Sequence, residues 1–235
     1  MINPKPLWNF EDPKASAEAF ENLRKTASPE DADILQTQIA RAHGLQGQFD
    51  EGLNLINEIK TTNPEVKAWV EIEHGRLLRS QGNPQAAQPH FERSSELSKE
   101  ANLEELHIDA LHMIALTLPP EEQIEFTKQA IEKAKQSKDQ NARNWQASLL
   151  NNLGMAFTEI GDWTSALTAF EEALEERRKL SNENQTFIAR YMIGWTLRNL
   201  NRTDEAKTWM LALQQDLKNA GRSDEYVEAE LKLLA

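Results

Sequence analysis

The stretch that decides the fold is Leu150-Asn151-Asn152-Leu153-Gly154-Met155-Ala156-Phe157, followed by Gly161-Asp162 and then by Ala166-Leu167-Thr168-Ala169-Phe170. Leu150, Leu153 and Phe157 recur at intervals of three and four, which places them on one face of a helix. Gly154 sits in the middle of that helix, where it costs about 1 kcal/mol relative to Ala. A glycine kept in such a place marks the close approach of a neighbouring helix. Gly161-Asp162 turns the chain, and a second helix carries Ala166, Phe170 and Ala173 on one side. The spacing predicts a first helix from about Asn144 to Glu159 and a second from about Thr164 to Lys179. Ala166 is the expected point of closest contact, and Phe170 fills the space between the two helices.

The same arrangement repeats along the chain. A small residue stands in mid-helix at Ala40, Gly75, Ala115, Gly154 and Gly194, at intervals of 35 to 40 residues. The fifth copy reads Ile193-Gly194-x2-Leu197, turns at Asn201-Arg202 and continues Ala206-x3-Met210. The second reads Gly75-x2-Leu78, Gly82-Asn83 and Ala87-x3-Phe91. The first has Ile39-Ala40-x2-His43, turns at Gly47 and ends before Pro64. The third departs most: Leu111-x2-Ile114-Ala115-x2-Leu118 runs directly into Pro119-Pro120, and Ile124, Ala130 and Ile131 mark its second helix. The pattern of a large residue, Leu-Gly, an aromatic and then Ala-x3-Phe resembles the tetratricopeptide repeat (TPR). The likeness is fullest in copies four and five. It implies an all-α, right-handed α-solenoid of about five helical hairpins, at residues 30–64, 65–103, 104–140, 141–182 and 183–220. Trp8-Asn9-Phe10 and the helix begun by Asp12-Pro13, with Ala17, Phe20, Leu23 and Ala27, form an expected N-terminal arm and cap over residues 1–29. Gly221 and Ser223 introduce a capping helix over 221–235, with Tyr226, Val227 and Leu231 towards the array. The expectation is one repeat domain over 1–235. Its general look resembles bacterial TPR proteins of unassigned role.

Composition narrows the function. Hydrophobic residues make up 39 % of the 235 residues and charged residues 27 %, enough apolar material for a packed core. The formal net charge of -12 disfavours nucleic acid and anionic membranes as partners. Cysteine is absent, which removes disulfides and thiolate metal sites and fits a reducing compartment. Residues 1–6 carry no apolar h-region and no apolar run approaches the roughly 20 residues of a membrane span, so a cytoplasmic location is expected. The five histidines form no HExxH pattern, the adjacent carboxylates Glu104-Glu105 and Glu171-Glu172 point in different directions on a helix, and no Gly-Lys-Ser/Thr loop or nucleophile–base pair is recognisable. Neither an enzyme, nor a metal, nor a cofactor is expected.

The expected working surface is the inner one. In TPR arrays the first helices line the concave side. With the small residue numbered as position eight, positions two, five, nine and twelve project inward. The candidates in that register are Arg41, Trp69, Ile72, Arg76, Arg79, His112, Asn151, Met155, Tyr191, Trp195 and Arg198, with Ile34, Leu116 and Ile188 beside them. Trp, Tyr and Arg are the residues most enriched in binding hot spots. The alternative is that Trp69, Ile72 and Ile188 belong to the core and that the packing face is rotated. Asn151 and Asn152 match part of the carboxylate clamp of some co-chaperone repeats, but its Lys residues are missing. The sequence therefore points to an adaptor or scaffold holding a protein or peptide segment, acidic with apolar anchors, in a groove of local positive potential. A sensor of a small molecule or signalling peptide and a homo-oligomeric structural subunit are the other classes that fit.

Overall fold

A computed structural model of the protein describes residues 1–180 and 183–235. Among them every regular element is helical, as the repeat pattern predicts. A single 3-10 turn over Lys5–Leu7 precedes α1 (Pro13–Arg24), α2 (Pro29–Leu45), α3 (Phe49–Glu58), α4 (Pro64–Ser80), α5 (Pro84–Glu100) and α6 (Glu104–Ala115). Then follow α7 (Pro120–Gln136), α8 (Gln140–Asn144), α9 (Gln146–Glu159), α10 (Trp163–Lys179), α11 (Glu183–Asn199), α12 (Thr203–Asn219) and α13 (Glu225–Leu233). The boundary expected at 182/183 between the fourth and fifth copies falls partly on residues outside those described.

Local chemistry starts and stops these helices. Asp12, Ser28, Asn63 and Asn83 each accept a hydrogen bond from the first turn and are each followed by proline, whose missing N–H costs nothing at the first helical position. Asp162 caps α10 through Ser165 N at 3.0 Å. Asp224, one residue beyond the expected Ser223, caps α13. Gly82 and Gly161 take φ of +90° and +77° in the turns after α4 and α9, a region that a side chain disfavours. Asn201 does the same work after α11 at +58°, as asparagine tolerates.

The mid-helix glycines Gly75, Gly154 and Gly194 lie at helix crossings, whereas Ala115, expected in mid-helix, is the last residue of α6. A Cβ on Gly75 would stand 2.5 Å from Phe91 Cε1, and one on Gly154 2.5 Å from Phe170 Cε1. Phe91 and Phe170 are fully buried, so the missing methyl group is the space the ring occupies. The fifth copy repeats this with Gly194 against Met210.

The chain divides into two compact units, Met1–Thr117 and Leu118–Ala235. The third predicted hairpin is split between them, α6 in the first and α7 in the second. In the first unit α2 pairs with α3, α4 with α5, and α6 packs on α5. Helix α1 covers α2 through Phe20 against Leu35 and Ile39. In the second unit α9 pairs with α10 and α11 with α12, while α7 packs on α9. Val227 and Leu234 bring α13 into the cluster of Phe170, Ile193, Met210 and Leu213.

Candidate functional site

Helix α2 shows how the first unit builds a working face. It spends Leu35 and Ile39 on α1 and turns Ala40 towards Gly52 of α3. The stripe left over is Asp31, Gln38, Arg41 and Leu45. On α4 the matching stripe is Glu73, Arg76 and Ser80, and on α6 it is Glu105, Asp109 and Met113. Spacings of three, four and seven keep each set on one side of its helix.

A polar chain crosses the three helices along this face. Gln38 Nε2 donates to Glu73 Oε1 at 3.3 Å, and Arg76 Nη1 donates to the same oxygen at 2.6 Å. Arg76 Nη2 donates to Asp109 Oδ1 at 2.5 Å. Arg41 stands 3.7 Å from Glu73 Oε1 and makes no hydrogen bond among the described residues. Burial alone would raise the Asp109 carboxyl, but the Arg76 and Arg41 charges outweigh it and hold it below the usual carboxylate range. Burial likewise works against the Arg76 cation, and Asp109 and Glu73 more than offset it, leaving the guanidinium firmly charged. Arg41 goes the other way: burial and the nearby Arg76 lower it more than the two carboxylates raise it. Glu73 is completely buried, and its Oε2 has no partner among the described residues.

Residues 2–10 lie on top of this face. Ile2 N donates to Asp31 Oδ1 at 2.7 Å, Lys5 pairs with Glu105, and Trp8 Nε1 donates to Gln38 Oε1 at 3.0 Å. Trp8 stacks on Phe10 with centroids 4.9 Å apart, and the Arg41 guanidinium lies 5.2 Å from the Trp8 ring and 5.3 Å from the Phe10 ring. Trp8 also meets Phe20 edge-on at 5.0 Å. The segment then ends firmly, because Ser16 Oγ accepts from Asn9 N at 2.8 Å and donates to Asn9 O at 2.9 Å. Beyond Arg41, towards the C-terminal ends of α2 and α4, a cavity of about 170 Å3 remains, lined by Arg41, Leu45, Arg76, Ser80 and Met113 with Gly44 and Leu77.

The sequence-derived candidates divide between the units. Arg41 and Arg76 are on the first unit's face. Ile72 is fully buried and offers no surface, because position five points between helices while position six, Gln38 and Glu73, points inward. Ile34 is fully buried as well. Trp69, Arg79 and His112 are half-buried; Arg79 has no hydrogen bond or ion pair among the described residues, and His112 lies near Asp109. In the second unit Met155 is exposed and Asn151 half-buried on α9. On α11, Trp195 meets Trp163 edge-on at 5.2 Å, Tyr191 meets Tyr226 at 6.2 Å, and Arg198 grips Glu230 with two bonds of 2.5 and 3.0 Å. Ile188 is 59 % exposed. Arg76 and Arg198 are thus neutralised by carboxylates inside the fold, so they do not supply the expected positive potential. The residues missed were Gln38, Glu73 and Asp109. Their signal was a charge or amide inside an apolar helical run, and for Glu73 an arginine three residues later.

Among the described residues no cluster of His, Asp or Glu is arranged to hold a metal, and no helix is long and apolar enough to cross a membrane. Residues 145–211 match the tetratricopeptide repeat family profile. No protein of curated function matches the sequence significantly. Among solved structures, BtubC (BKLC) from P. vanneervenii is 16 % identical with a TM-score of 0.66, over 95 % of this chain and 94 % of that one. A putative kinesin light chain from Podosopora anserina, with nearly identical TPR-like repeats, is 16 % identical with a TM-score of 0.63, over 80 % of this chain and 95 % of that one. NprR in complex with its cognate peptide NprX is 16 % identical with a TM-score of 0.60, over 95 % of this chain and 66 % of that one. At these identities the likeness is one of fold.

Proposed function

We propose that this chain of tetratricopeptide-like hairpins is a non-catalytic binding module that holds a segment of a partner protein or peptide on the inner face of its first unit. The observation that carries the reading is that this face already holds a short stretch of polypeptide, residues 2–10 with their single 3-10 turn, through Asp31, Gln38, Arg41 and Glu105. The face suits that work physically. Its floor is a buried ion network, and its upper side presents one guanidinium without a hydrogen bond among the described residues, an amide and a carboxylate. Aromatic anchors supply most of the affinity on such surfaces, and charges choose the partner. The NprR fold neighbour, seen with its cognate peptide, supports a peptide ligand by analogy. No cofactor is involved, and a cytoplasmic location goes with this reading. The test is affinity capture from a lysate with the intact protein and with Arg41→Glu. A partner held by the parent and released by the variant supports the reading; a partner held equally by both, with the helical signal unchanged, overturns it.

The cavity beside Arg41 favours a second reading, a sensor of a small acidic molecule. A thermal-shift screen with the isolated protein separates the two.

A further inference from the structure

We propose that residues 2–8 are a displaceable occupant of this docking face, and that the partner is a short segment of the same chemistry: a basic side chain, a large aromatic three residues later, and an acidic group just beyond it. This rests on the reading of the inner face as a docking surface and adds its regulation and its ligand class.

The contacts define what the face recognises. Lys5 meets Glu105 on α6, and Trp8, three residues on, meets both Gln38 and Arg41 on α2. Lys5 and Trp8 are joined by the 3-10 turn over Lys5–Leu7, in which Trp8 N donates to Lys5 O at 3.2 Å, and three residues of such a turn rise roughly 6 Å. A basic group and an aromatic at this spacing therefore bridge from α6 to α2. Two prolines, Pro4 and Pro6, flank Lys5 and fix φ on either side of it within the 3-10 turn, which lowers the entropy lost on docking.

The contacts also show why the segment is removable. Its ion pair is partly solvated, with Lys5 44 % and Glu105 21 % exposed, and such pairs hold weakly. Phe10 is 58 % exposed. Beneath the segment the floor's own bonds do not involve it, since Gln38 Nε2, Glu73, Arg76 and Asp109 bond to one another, and lifting it frees only Gln38 Oε1. Lifting residues 2–8 leaves that network in place, while Asn9 remains tied to Ser16 at the base of α1. Asn9 is the natural hinge.

A partner gains over the segment at one place. The chain turns away after Phe10 into α1, so it never enters the cavity lined by Arg41, Ser80 and Met113. Arg41 carries donors that no described residue accepts from. A partner that continues past its aromatic brings a carboxylate to that guanidinium, where a charge-assisted bond is strongest. Without that gain it must compete with a tethered segment at an effective concentration of the order of millimolar. The intact chain is therefore the restrained form.

The test uses the full chain, the double variant Lys5→Glu, Trp8→Ala, and the milder single variant Lys5→Glu in case the double one loses structure. The probe is a fluorescein-labelled synthetic peptide of residues 2–11, titrated by anisotropy. The expected result is binding at least about tenfold tighter to the double variant than to the intact chain, with the single variant between them. The same peptide carrying Trp8→Ala should bind about tenfold or more weakly, as loss of an aromatic anchor does. If the variants keep their helical circular dichroism and bind the peptide no better than the parent, or if the Trp-less peptide binds equally well, the proposal is overturned. That failure leaves the docking face standing if capture by the intact chain is still lost in Arg41→Glu, so the two readings fail separately.

Discussion

Replacing Gly154 by alanine sets two known effects against each other, and the geometry decides between them. On a helix, Gly→Ala gains about 1 kcal/mol from lost backbone freedom in the unfolded chain. Against that, the new Cβ would stand 2.5 Å from Phe170 Cε1, 2.7 Å from Cδ1 and 2.8 Å from Cζ. Three ring atoms are too close at once, so no rotation of the ring relieves them all. Phe170 is fully buried and flanked by Ala166 and Ala173, which are buried as well, so the ring has nowhere to retreat. Overpacking of this kind costs about 1–3 kcal/mol. The net effect should be a destabilisation of about 1 kcal/mol, lowering the melting temperature by roughly 2–4 °C in a protein of this size. Gly194 is the internal comparison. Its crowding atoms belong to Met210, whose Cε lies 2.7 Å away at the end of a flexible side chain. Gly194→Ala should therefore fall within about 0.5 kcal/mol of the parent. Thermal and urea unfolding followed by circular dichroism measures both. A Gly154→Ala protein that melts at or above the parent temperature would refute the account of the crossing.

Three further outcomes follow from the ion pairs and the histidines. Asp109→Ala leaves the 12 %-exposed Arg76 with Glu73 alone; removing one partner of a buried pair costs about 3 kcal/mol or more, and denaturant unfolding should show that loss while Lys128→Ala, in an exposed pair, shows almost none. Glu230→Gln should speed amide exchange in α13 with only a small change in global stability, because the new amide oxygen can still accept from Arg198 and only the charge of the buried carboxylate is lost. Burial, with His90 stacked 4.0 Å away, pushes the His74 imidazole below its ordinary 6.5, and Glu71, bonded to His90 at 2.6 Å, opposes this only in part. The neutral ring is thus the folded form: its stability is full above about pH 6.5 and is lost as the pH falls through the unfolded value towards the folded one. The melting temperature should therefore drop more steeply between about pH 7 and 5.5 in the parent than in His74→Gln.

Much of the fold was legible because its determinants are local. A glycine in mid-helix and a large side chain sixteen residues later, as in Gly75 and Phe91 or Gly154 and Phe170, are two ends of one contact, and the turn between them is short. Proline after a capping residue announced α1 in the same way. The site was less legible. Successive residues on a helix differ by about 100° in direction, so a register wrong by one position turns Ile72 inward in place of Glu73. Nothing in the sequence distinguishes Glu73 and Asp109 from the other carboxylates until Arg76, on the helix between Gln38 and Asp109, is seen to bind both. The placement of residues 2–10 had no periodic signal at all. Lys5 and Glu105 are a hundred residues apart in sequence, and only the folded path of α2, α4 and α6 brings them together. The division after Thr117 was hidden for the opposite reason, since Pro119-Pro120 interrupts a repeat whose apolar pattern continues on both sides.

The central claim is that the inner face of α2, α4 and α6 is where a partner segment docks. Hydrogen–deuterium exchange of the intact chain, with and without the partner recovered by affinity capture, reads that face directly. The account predicts slower exchange along α2, α4 and α6 on binding, centred on the turns that carry Arg41, Arg76 and Asp109, together with faster exchange of residues 2–8 as they are displaced. Protection confined to α9–α13, with residues 2–8 and the α2, α4 and α6 helices unchanged, would contradict it.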